Sequence, residues 1–87
     1  MFTILVMRPE FEAYANIVYG HLDMAGYNVR KDSNYELSLN ARVRTHEATT
    51  VCIIGYEEQE NRRVSIRERD VKGSTTLTLN DFFARYC

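Results

Sequence analysis

Apolar residues fall along this chain in two rhythms. Continuous runs occur at "TILVM", residues 3 to 7, and "TVCIIG", residues 50 to 55, the pattern of strands covered on both faces. Between them Tyr14, Val18, Leu22 and Ala25 recur at helical spacing after Pro9, and Gly26 supplies the stop. "YNVRK", residues 27 to 31, predicts a second strand, and "DSNYE" the polar loop that follows it. Ser38 caps a short helix running to about Glu47, with Leu39 and Val43 one turn apart on its buried side. Strand, helix, strand, helix, strand is the order of a parallel sheet with right-handed crossovers.

Beyond residue 55 the pattern changes. "YEEQE", residues 56 to 60, reads as an acidic turn. "RRVSIRE" and "STTLTL" each alternate apolar and polar residues, with "DVKG" between them as turn chemistry, so an antiparallel hairpin is expected. "LNDFFARYC" predicts a closing helix capped by Asn80 or Asp81, with Phe82, Phe83 and Tyr86 as its apolar bulk. The expected fold is α/β: a mixed five-stranded sheet, three parallel strands with crossover helices plus an antiparallel hairpin, flanked by three helices in one domain spanning 1–87.

Composition narrows the function classes. At 45% hydrophobic and 26% charged residues the chain has the make-up of a soluble globular protein. No apolar run approaches the ~20 residues that cross a bilayer. The start "FTILVM" is too short and poorly flanked for a signal peptide, so a cytoplasmic protein without a membrane partner is expected. Cys52 and Cys87 form no ligand-spaced pair, and Cys52 suits a small buried apolar side chain. His21 and His46 lie far apart with no cysteine beside them, which argues against zinc. Glycine-rich phosphate loops and the common catalytic motifs are missing, so no catalytic residues are assigned.

A formal net charge of −1 argues against polyanion binding by bulk charge alone. The distribution is more telling, because Arg62, Arg63, Arg67, Arg69 and Lys72 face only Glu68 and Asp70 in the same stretch. On a strand Val64 and Ile66 point to the core while Ser65, Arg67 and Arg69 share the other face, the two arginines roughly 7 Å apart. Two such guanidiniums clamp phosphates or read a base edge bidentately; alternatively they pair with acidic residues across the hairpin. On the second helix Asn40 with Arg44, and Arg42 with His46, stand at i, i+4, which makes either a basic binding face or an ordinary wet side. Tyr35 suits stacking on an unpaired base or covering the core. Glu60 suits either a solubilising turn or acceptance of hydrogen bonds from a base's Watson–Crick edge.

Taken in order, "AGYNV", "SLNARVR", "CIIGYEEQEN" and "RRVSIRERDVKG" resemble successive landmarks of the C-terminal anticodon-binding domain of class II aminoacyl-tRNA synthetases, most of all the eukaryotic type of threonyl-tRNA synthetase. Related versions of "SIRERD" occur in glycyl- and prolyl-tRNA synthetases. The resemblance implies a non-catalytic module, the C-terminal part of a longer ligase, whose partners are the anticodon loop of threonine tRNA and the catalytic domain of the same enzyme. ATP and zinc would belong to that catalytic domain, with no cofactor in this one. It further implies that Arg69 and Glu60 read the central anticodon base. Asn34, Tyr35, Glu36, Asn40, Arg42 and Arg44 would contact the third base and backbone, with Arg62 and Arg67 on the same RNA surface. Two competing readings are a non-synthetase module of this fold and a small doubly wound enzyme, the latter opposed by the missing glycine loop. The chain departs from the family pattern in a shortened segment after Arg44 and in Glu68, where the family has threonine.

Overall fold

In the computed structural model, which describes residues 1–46, 49–68 and 73–86, five strands form a single sheet. They are β1 (Phe2–Val6), β2 (Val29–Asp32), β3 (Thr50–Ile54), β4 (Arg63–Arg67) and β5 (Thr75–Thr78), in the order β2-β1-β3-β4-β5. β1 runs parallel to β2 and β3, and β4 is antiparallel to β3 and β5. The expected mixture of a parallel core and an added hairpin is therefore present. The described helices are α1 (Glu12–Met24), entered through a 3-10 turn at Pro9–Phe11, α2 (Leu39–Thr45), α3 (Tyr56–Asn61) and α4 (Leu79–Tyr86).

The continuous apolar runs are explained by burial on both sheet faces. Phe2, Ile4, Val6, Cys52, Ile54, Val64 and Ile66 point to one face, where Tyr14, Ala15, Val18 and Leu22 of α1 and Phe82 of α4 close the main core. Leu5 and Val51, from alternate positions, are buried on the other face, beneath the side that α2 and α3 occupy. Burial pushes the Cys52 thiol up to about 12, so it behaves as a small apolar group. Gly26 ends the α1 turn at φ +93°, a conformation that costs glycine little.

Two local features differ from the sequence expectation. The acidic turn is in fact α3, too short and too polar to show an apolar period; it is fixed by Glu58, whose Oε1 accepts the Gly55 N–H at 2.9 Å and whose Oε2 accepts the Ser65 hydroxyl at 3.0 Å. The cap of α4 is neither Asn80 nor Asp81 but Thr78, whose Oγ1 accepts the Asp81 N–H at 3.1 Å. The β4–β5 turn at 70–72 lies outside the described residues, as do Glu47 and Cys87.

Candidate nucleic-acid interface

The loop between β2 and α2 carries three of the expected contacts, Asn34, Tyr35 and Glu36, all exposed. Its shape follows from short polar side chains satisfying nearby backbone. Asp32 Oδ1 accepts the Asn34 N–H at 2.9 Å, Ser33 O accepts the Tyr35 N–H at 3.0 Å, and Ser38 Oγ caps α2 through the Ala41 N–H at 3.2 Å. Glu12, in the first turn of α1, ties the loop down: its Oε1 accepts the hydroxyls of Ser33 and Tyr35, and its Oε2 lies 3.0 Å from Lys31 Nζ. Asn40 and Arg44 are exposed on α2, as the amphipathic reading requires.

Arg42 corrects that reading. Its side chain is 1% exposed, and Nη2 donates to Val6 O and Asp32 O, both at 2.7 Å, while lying 3.2 Å from Asp32 Oδ1. His46, one turn on, meets Asp32 Oδ2 at 2.7 Å. The Arg42–His46 side of α2 thus points inward and is occupied by Asp32 and strand-end carbonyls, which removes Arg42 from the RNA-contact set. Leu39 and Val43 are only half-buried. Burial alone would raise the Asp32 carboxyl, but the Asn34 N–H, His46 and Arg42 together hold it below its ordinary value.

A second group surrounds α3. Glu60 is exposed near its end, and Arg62 follows with φ +51°, the left-handed conformation that closes the helix. The backbone here is gripped from two sides, since Arg62 O accepts the Leu79 N–H and Arg63 O accepts the Tyr14 hydroxyl, both at 2.8 Å. Burial, augmented by Glu58 and opposed by Arg62, lifts the Tyr14 hydroxyl to about 12, so it stays a donor at every physiological pH. Arg62 and Arg63 therefore project from a rigid corner.

Along β4 the alternation holds: Val64 and Ile66 face the main core, while Ser65 and Arg67 take the other side. Ser65 is covered by Glu58 and by Thr76, and Arg67, opposite Val51, is half-buried at the far end of the strand from Arg63. Arg63 and Arg67 thus stand at the two ends of β4, with Ser65 between them. Arg69, with Asp70 and Lys72, lies outside the described residues. Among the described residues no ion pair engages Arg44, Arg62, Arg63 or Arg67. Glu68 turns toward α4, within 3.4 Å of the Tyr86 hydroxyl and 3.8 Å of Arg85, which supplies a structural place for this departure from the family pattern.

The sheet order brings the loop after β2, the turn after β1, the start of α3 and the Arg62–Arg63 corner to the carboxyl edge of the parallel strands. Helices α1 and α3 leave this edge on opposite faces, the arrangement in which open α/β sheets bind ligands. Arg8, exposed in the turn after β1, joins this edge and was missed in the sequence, where an arginine before Pro9 reads only as a helix approach. Among the described residues no group of three or more His, Cys, Asp or Glu is placed to hold a metal ion, and no helix is long and apolar enough to cross a membrane.

Known proteins agree with this architecture. The chain is 26% identical over 91 residues to a probable cytoplasmic threonine–tRNA ligase of Dictyostelium discoideum, a match covering 95% of this chain and 13% of that protein. It is 34% identical over 73 residues to the threonine–tRNA ligase of Deinococcus deserti, covering 80% of this chain and 11% of the relative. The RNA binding domain of threonyl-tRNA synthetase from Cryptosporidium parvum superposes with a TM-score of 0.86 at 22% identity, covering 99% of this chain and 22% of that one. The chain therefore spans about an eighth of the length of these curated relatives. The family described as anticodon binding domain matches residues 2–85, nearly the whole chain, and this chain belongs to that family.

Proposed function

We propose that this domain reads the anticodon loop of threonine tRNA as one part of a longer threonine–tRNA ligase. The supporting observation is a family match over nearly the whole chain, joined to a sheet edge that carries exposed Glu60, Arg62 and Arg63 on a braced corner and, beyond the two intervening strands, the Asn34–Glu36 loop. The corner supplies guanidiniums for phosphate and a carboxylate that rejects bases lacking donors in the right place. Glu60 with Arg69 is assigned to the central base, and Asn34, Tyr35, Glu36, Asn40 and Arg44 to the third base and backbone. ATP, zinc and the aminoacylation chemistry belong to the catalytic domain, which is the second partner. A cytoplasmic setting is the corresponding location, in keeping with the relative from Dictyostelium.

Glu60→Ala and Arg69→Ala test the assignment in a binding assay with an anticodon stem-loop. Glu60→Ala should retain affinity and lose discrimination at the central base, and Arg69→Ala should weaken binding about tenfold or more while relaxing the same position. Unchanged discrimination in both variants would refute the assignment.

A further inference from the structure

Glu12 carries no expected contact with RNA, yet three side-chain donors, Ser33, Tyr35 and Lys31, converge on it beside the β2–α2 loop. Ser33 and Tyr35 both give their hydroxyl protons to Oε1, the latter at 2.7 Å, while Lys31 Nζ sits 3.0 Å from Oε2 and also donates to Asn16 Oδ1 at 2.8 Å. Burial pulls the Glu12 carboxyl upward, but the Ser33, Tyr35 and Lys31 contacts outweigh it and leave the group below its ordinary value, so it is an anion at neutral pH.

The consequence falls on Tyr35. Its residue is 36% exposed, and its ring makes no aromatic contact among the described residues. The backbone end is held by the Tyr35 N–H on Ser33 O, and the far end by the hydroxyl on Glu12. A ring pinned at both ends while partly open to solvent is a preformed stacking surface, because the rotamer entropy normally lost on binding has already been lost on folding.

We infer that Glu12 is a positioning residue for RNA binding: it holds Tyr35 as a preorganised platform on which one unpaired base of the loop stacks. The inference rests on the anticodon-loop reading above and deepens it. Glu12 acts through Tyr35 and itself touches no nucleotide.

The test uses the 87-residue chain and an anticodon stem-loop carrying 2-aminopurine at each loop position in turn. For the unaltered chain, quenching at one loop position is expected on binding. Tyr35→Ala should abolish that quenching and weaken binding roughly tenfold or more. Tyr35→Phe keeps the ring but cuts the tether, so the quench at saturation should persist while affinity falls about three- to tenfold. Glu12→Ala, which also releases Ser33 and Lys31, should lose at least as much affinity as Tyr35→Phe with the quench at saturation kept, and adding Tyr35→Phe to Glu12→Ala should cost nothing further. Additive losses in the double variant, or full quenching affinity in Tyr35→Phe, would overturn the positioning role. Binding that survives Tyr35→Ala with quenching intact would overturn the platform while leaving the anticodon reading standing. A chain that binds no stem-loop at all would overturn both.

Discussion

Replacing Arg42 by methionine separates a structural arginine from an RNA contact. The guanidinium is buried against Val6 O, Asp32 O and Asp32 Oδ1, so its loss leaves a mostly buried carboxylate and two carbonyls short of a donor. Breaking a buried pair by removing one partner costs about 3–5 kcal/mol. Asp32 keeps the Asn34 N–H and His46, which places this case near the lower end, about 3 kcal/mol. A domain of this size holds only roughly 4–13 kcal/mol in total, and each kcal/mol moves its melting point by about 4–8 °C. The melting point of Arg42→Met, followed by circular dichroism at pH 7, should therefore fall by roughly 12–24 °C. Adding Asp32→Asn should recover part of the loss, since no uncompensated charge remains. Stem-loop binding measured well below the transition should be retained. An unchanged melting point together with lost RNA binding would refute the buried assignment and return Arg42 to the interface.

Other outcomes follow from the same structure. Arg62→Gly removes a side chain from the left-handed conformation at φ +51°, and should stabilise the fold by about 0.5–1 kcal/mol in urea titrations while weakening RNA binding and lowering the salt slope by roughly 0.7. Loss of stability in that variant would mean that the Arg62 side chain anchors the corner. Glu12 and Asp32 are both held below their ordinary values of 4.5 and 3.8, so their stabilisation is complete above those values and drains away as pH falls through the lower folded-state ones. The melting point should accordingly drop on the acid side of about pH 4.5, and less steeply in Asp32→Asn; equal slopes would contradict the depressed Asp32 carboxyl.

Much of the fold was legible because its signals are local and strong. The runs at "TILVM" and "TVCIIG" are strands of the sheet centre, and the alternation in "RRVSIR" places Val64 and Ile66 in the core. The helix α3 was hidden because six polar residues carry no apolar period, and what holds them is a tertiary bond from Glu58 to Ser65. The inward turn of Arg42 was hidden for a related reason: basic residues one turn apart look solvent-facing until the chain brings Asp32 beneath them. Glu12 gave no signal at all, since its partners Ser33 and Tyr35 are brought to it by the β1–β2 pairing and not by sequence spacing. Among the exposed residues proposed for the site, Tyr35, Asn40, Arg44, Glu60 and Arg62 were singled out by charge, spacing and side-chain chemistry, whereas Asn34 and Glu36 came from resemblance alone.

The most direct measurement is a titration of the chain with a labelled stem-loop whose anticodon ends in GU, against the same hairpin with those two bases exchanged, at two salt concentrations. Tighter binding to the GU loop that survives the higher salt is the predicted result, because base contacts persist where phosphate contacts weaken. Equal binding to both hairpins, vanishing together as salt rises, would contradict the account and leave a basic surface without a code.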